Sequence, residues 1–99
     1  MITVVRTFDV QHGKLQEAIA WATKMAAYQK ETGSPSQPSV VRNINGAIDQ
    51  LYYVVNWESL AIWEEWIKKG RQDPQLQQLL AERDTVFVAE TVNLYETVG

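Results

Sequence analysis

The period of the apolar residues constrains this sequence most, because it switches between the two-residue repeat of a strand and the 3.6-residue repeat of a helix at definite points. From Ile2 to Val10, Ile2, Val4, Phe8 and Val10 share one alternation while Thr3, Val5, Thr7 and Asp9 share the other, which predicts a first strand. Gln11-His12-Gly13-Lys14 breaks that period. Leu15, Ala18, Ile19, Ala22, Met25 and Ala26 then recur at helical spacing, predicting a long amphipathic helix that ends near Glu31-Thr32-Gly33, with Gly33 as a left-handed cap. Ser34 to Ser39 holds two prolines among small polar residues and reads as a loop. Two strands follow, Val40–Ile44 and Ala47–Trp57, about Asn45-Gly46, the dipeptide that most readily forms a type I′ hairpin turn. A two-residue turn there would set Arg42 opposite Asp49 and Val40 opposite Leu51.

Ser59 is placed to cap a second helix with Leu60, Trp63 and Ile67 as its buried stripe and Gly70 as its stop. Asp73-Pro74 opens a shorter helix carrying Leu76, Leu79 and Leu80, to about Arg83. From Thr85 to Val98 alternation returns, with Val86, Val88, Val92 and Leu94 on one face and Phe87, Ala89, Thr91, Asn93 and Tyr95 on the other. The order β, α, β, β, α, (α), β predicts an α+β, ferredoxin-like split βαβ fold. One domain over residues 1–99 has a four-stranded antiparallel sheet covered by helices on one face. The other face would carry Tyr52, Val54, Phe87, Ala89 and Tyr95, too apolar to stand in water as a patch, so a homodimer is expected.

An apolar fraction of 45% with 21% charged residues is that of a folding chain. A net charge of -3 with scattered basic residues gives no attraction to nucleic acid, and Lys68-Lys69-Gly70-Arg71 reads as the solvated end of a helix. No run is apolar enough to span a membrane, and the N-terminus lacks a basic segment followed by an apolar one, so a cytoplasmic protein without a membrane partner is expected.

Cysteine is absent, and one histidine with scattered carboxylates offers no metal-ligand spacing. His12 reads as a solvated loop residue and not as an acid or base. Glu31, Glu64 and Glu65 read as solvated helix faces. Trp57 and Trp63 are expected in the core, whereas Trp66 fits either core or the wall of a pocket for a planar ligand. Arg6, Asn56, Thr91 and Asn93 interrupt apolar strands and must find partners in a pocket, in solvent or at a dimer seam.

The stretch Tyr52-Tyr53-Val54-Val55-Asn56-Trp57-Glu58-Ser59-Leu60-Ala61 resembles the strand-to-helix junction of the dimeric α/β-barrel superfamily, particularly antibiotic-biosynthesis-type monooxygenases, where a strand ends in Trp-Glu-Ser. The order of elements and the His12-Gly13-Lys14 loop extend the resemblance along nearly the whole chain. It implies two sheets packed face to face as a barrel, with a ligand pocket between sheet and helices in each subunit. Heme-degrading members use an Asn in strand one, a Trp in the second helix and a heme-ligating His soon after. Trp66 stands at the Trp position, but Arg6 occupies the strand-one position and Ser59 to Arg83 holds no histidine, so heme degradation is not implied. What the resemblance implies instead is a cofactor-independent oxygenase acting on an aromatic small molecule, with Arg6, Tyr52, Asn56 and Trp66 as candidate pocket residues and no cofactor. The alternative is a non-catalytic dimer that binds a small molecule or a partner protein.

Overall fold

The computed structural model describes residues 1–99. The chain runs β1 (Ile2–Val10), α1 (Leu15–Glu31), β2 (Pro38–Arg42), β3 (Gln50–Trp57), α2 (Leu60–Arg71), α3 (Pro74–Ala81), a 3-10 turn (Glu82–Thr85) and β4 (Phe87–Glu96). The strands form one antiparallel sheet in the order β2-β3-β1-β4, the ferredoxin-like α+β arrangement. No helix is long and apolar enough to cross a membrane.

The helix ends follow from local chemistry. At the end of α1, Gly33 takes φ +84° and its N–H donates to the Lys30 carbonyl (3.2 Å), while the Ser34 N–H reaches back to the Gln29 carbonyl (3.3 Å). This Schellman closure needs the left-handed residue that glycine supplies. Ser59 Oγ accepts the Ile62 N–H (3.2 Å) at the start of α2, and Asp73 accepts the N–H groups of Gln75 (3.0 Å) and Leu76 (3.3 Å) before Pro74 opens α3.

Pairing of β1 with β3 sets Val4 opposite Val55, Arg6 opposite Tyr53 and Phe8 opposite Leu51. The even residues of β1 and the odd residues of β3 therefore face the helices. Val4, Phe8, Leu51, Val55 and Trp57 are buried there with Ala18, Trp21 and Ala22 of α1. Trp21 satisfies its indole N–H on the Leu79 carbonyl (2.8 Å), which ties α1 to α3.

Four details differ from the sequence-based expectation. Asn45-Gly46 does not form a two-residue turn: β2 ends at Arg42, β3 starts at Gln50, and Arg42 pairs with Leu51 and Val40 with Tyr53. Asn43 Oδ1 accepts the Asn45 N–H (2.9 Å) in a local turn, Gly46 takes φ +95°, and the Asp49 carbonyl accepts the Val10 N–H (2.8 Å), which holds residue 49 against β1. The register moves by two residues, so no side chain changes face.

Phe87 is buried on the helix side and does not belong to the open face. The β1–β4 register slips between Asp9 and Val10, leaving Val88 as an extra, exposed residue, and this bulge turns Phe87 inward onto Phe8 (ring centroids 4.6 Å) and Trp21 (5.2 Å). Gly70 does not stop α2, which continues to Arg71. A Cβ at Gly70 would stand 2.8 Å from Leu76 Cδ2, so the glycine lets α3 approach closely. Leu60 is 44% exposed and not part of a buried stripe. No residue of α2 is fully buried: Trp63, Trp66 and Ile67 are half-buried, and Ile62, Trp63 and Trp66 pack against the core from the rim.

Candidate functional site

The space beneath α2 is a cavity of about 290 Å³, bounded below by Val4, Arg6, Tyr53 and Val55 and around by residues of α1, α2 and α3. Aromatic side chains supply about half of its apolar lining. Trp57 and Trp66 stand 6.0 Å apart with their rings inclined at 40°, Trp63 adds a third indole, and Lys69 Nζ lies 5.8 Å over the Trp66 ring. The Trp57 indole N–H is the one side-chain polar atom buried without a hydrogen-bond partner.

Three charged groups meet at one part of the lining. Arg83 Nη1 donates to Glu90 Oε1 at 2.7 Å, and Arg6 Nη1 donates to Glu90 Oε2 at 3.2 Å. Arg83 is held further by its Nε–H on the Leu80 carbonyl (3.0 Å). The bulge in β4 makes this cluster possible, since it places Phe87 and Glu90 on the same, helix-facing side.

A buried chain of hydrogen bonds starts beside Arg6. Tyr53 Oη donates to Gln29 Oε1 (2.8 Å), Gln29 Nε2 donates to Ser34 Oγ (3.0 Å), and Ser34 Oγ donates to the Ser36 carbonyl (2.7 Å). Burial pushes the Tyr53 phenol well above the usual tyrosine range, and the nearby Arg6 cation pulls it back only in part. Tyr53 therefore stays protonated as a fixed donor. Elsewhere in the lining Tyr28 Oη donates to Asp73 Oδ2, which holds the Asp73 carboxyl below its ordinary range against partial desolvation, with the Leu76 and Gln75 N–H groups and Lys69 adding to the effect.

Of the four residues singled out from the sequence, Arg6 and Trp66 line the cavity. Tyr52 and Asn56 do not: they alternate with Tyr53 and Val55 and so point to the open face of the sheet. There Tyr52 Oη donates to Gln50 Oε1 (2.8 Å), and Asn56 Oδ1 accepts from Thr3 Oγ1 (2.7 Å). Thr91 and Asn93 pair with Thr7 and Val5 on that same face. His12 lies far outside, its ring fully exposed and 3.8 Å from Asp49. Sequence reasoning missed Tyr53, Arg83 and Glu90; Lys69 and Arg71 are solvent-exposed, as expected, and also border the cavity. The alternation that puts Val4 and Phe8 inward also carries Arg6 and its partner Tyr53 inward. Nothing in the residue pattern marks the bulge that brings Glu90 to them.

No family model matches the sequence, and no curated protein matches it. Among solved structures, an uncharacterised NIPSNAP domain protein from Burkholderia xenovorans superposes with a TM-score of 0.84 at 11% identity, covering 99% of this chain and 95% of that one. The likeness is one of fold. A NIPSNAP family protein from Agrobacterium tumefaciens gives 0.83 at 16% identity over 98% of this chain and 92% of its own. A candidate antibiotic biosynthesis monooxygenase from Deinococcus radiodurans gives 0.77 at 10% identity over 100% and 94%. The resemblance carried by the Trp57-Glu58-Ser59 junction thus holds at the level of the ferredoxin-like fold, and it leaves the chemistry to the residues of this chain.

Proposed function

We propose that this chain binds a small, largely apolar molecule in the cavity between its sheet and helices. The observation that carries this reading is α2: a twelve-residue helix with an aromatic inner side buries none of its residues fully and walls an open volume of about 290 Å³. Interiors are normally close-packed, and aromatic faces left around a void forfeit contact energy. A volume at the lower end of the range for small-molecule pockets, apolar with a few convergent polar groups, has the character of a ligand site.

A second reading makes the site catalytic, as a cofactor-independent oxygenase for an activatable aromatic substrate. Arg6 favours it, since a cation in an apolar cavity stabilises the substrate anion that such chemistry starts from. The fold shared with a candidate monooxygenase is compatible with this reading.

We also infer that the working form is a homodimer joined through the open sheet face, where Val5, Val41, Val54, Tyr52 and Tyr95 lie among threonines and asparagines. Binding is tested by two-dimensional NMR with a panel of neutral and anionic bicyclic aromatic compounds. The expected result is a saturable shift of the indole signals of Trp57, Trp63 and Trp66, with the amides of Thr91 and Tyr95 unmoved. Shifts confined to the open face, or none with any compound, would contradict the reading.

A further inference from the structure

The charges around the cavity do not match those of the chain as a whole. The protein is acidic at -3, yet four of its nine Lys and Arg side chains, Arg6, Lys69, Arg71 and Arg83, line the cavity against two acids, Asp73 and Glu90. Arg6, Arg83 and Glu90 form a local cluster in which two guanidiniums share one carboxylate, leaving a single positive charge without a counterion.

The two arginines are not equivalent. Arg83 holds Glu90 at 2.7 Å and is anchored on the Leu80 carbonyl, so it keeps the carboxylate neutralised on its own. Arg6 reaches Glu90 at 3.2 Å through Nη1 alone, and the rest of its fork has no protein acceptor. It rises from the floor of the cavity between Val4 and Phe8, beside Tyr53. An Arg fork matches a carboxylate with two parallel bonds, and such a bond gains strength where water is partly excluded.

We propose that the ligand is a flat anion, an aromatic carboxylate or a compound with an equivalent planar, singly charged oxygen pair. Its charge is received by Arg6, and its ring lies among Trp57, Trp63 and Trp66. This rests on the cavity being the binding site. In the bound state Arg6 turns from Glu90 to the ligand, Arg83 retains Glu90, and the excess positive charge is cancelled. Arg6 is then the specificity-determining residue, and Glu90 competes with the ligand for it.

The test compares 2-naphthoate with its neutral counterpart 2-naphthamide by isothermal titration calorimetry at neutral pH and moderate salt. The anion is expected to bind about tenfold more tightly or better, the scale of one charge-assisted contact. Arg6→Met, which keeps the length and apolar stem, should erase that preference, bringing naphthoate affinity down to that of naphthamide or below. Glu90→Gln should strengthen naphthoate binding and spare naphthamide, and it guards against a fold defect in Arg6→Met. Equal affinities in the wild type, or a preference that survives Arg6→Met, would overturn the assignment of charge while the cavity reading stands. Failure of both compounds to bind would overturn the two together.

Discussion

Arg6 is the one charged residue on the helix-facing alternation of β1, between Val4 and Phe8, and an isolated guanidinium there requires a partner. Glu90 is that partner, and Tyr53 across the strand pair extends the polar ground through Gln29 and Ser34. Tyr53→Phe removes a 2.8 Å bond and leaves the Gln29 Oε1 acceptor buried without its donor. A loss of about 1–3 kcal/mol is expected at neutral pH in a urea melt. The same substitution should change the alkaline limb. The folded-state pKa of Tyr53 is raised, so its contribution is fully present below the ordinary tyrosine value of 10.0 and is lost as pH rises above it, where the unfolded chain ionises and the folded one does not. Tyr28, held up by its bond to Asp73, contributes with the same sign. Tyr53→Phe should therefore show a shallower fall in stability above pH 10 than the wild type, and identical slopes would contradict the assignment.

Among the elements, several match their local signals. The β1 alternation, the helical spacing of α1 with its Gly33 closure, and the caps at Ser59 and Asp73 are all short-range features that the chain carries in consecutive residues. Ser59→Ala should cost about 1 kcal/mol of stability, the usual penalty for an N-cap oxygen, and an unchanged denaturation midpoint would count against the cap. Elements diverge where long-range contacts decide. The Asn45-Gly46 signal for a tight hairpin yields to the bond from Val10 to Asp49, which draws that end of the loop to β1. Phe87 turns inward at a bulge that saves a large aromatic surface from water, and neither periodicity nor turn chemistry announces it. The site inherits both facts. Arg6 is legible as a charged interruption of an apolar strand and Trp66 as an indole one turn from Trp63, whereas Tyr52 and Asn56, pocket candidates by resemblance, stand on the open face because they alternate with Tyr53 and Val55, and Glu90 depends on the bulge.

For the whole molecule, the sheet leaves two open regions. One is the face opposite the helices, where Thr3–Asn56 and Gln50–Asp9 hydrogen bonds sit beside Val5, Val54 and Tyr95. The other is β4, an edge strand exposed along nearly its whole length, with Val92 and Leu94 at 38% and 40% on the helix side. Long exposed edges and half-apolar faces are commonly covered by a second chain. Light scattering coupled to size exclusion at low micromolar concentration is expected to give the mass of two chains, and Val54→Asp should lower both that mass and the melting temperature. The mass of one folded chain would contradict the dimer.

If the volume under α2 is held open for a ligand, filling it abolishes binding, and this provides the most direct measurement. Met25 reaches the cavity from α1, and Met25→Trp would occupy the space with a bulky side chain. Calorimetric titration of wild type and Met25→Trp with 2-naphthoate and 2-naphthamide, alongside thermal melts of both proteins, separates binding from stability. The expected result is one site per chain in the wild type and none in a variant that melts no lower. Undiminished binding to a folded Met25→Trp protein would place the ligand elsewhere and contradict the reading.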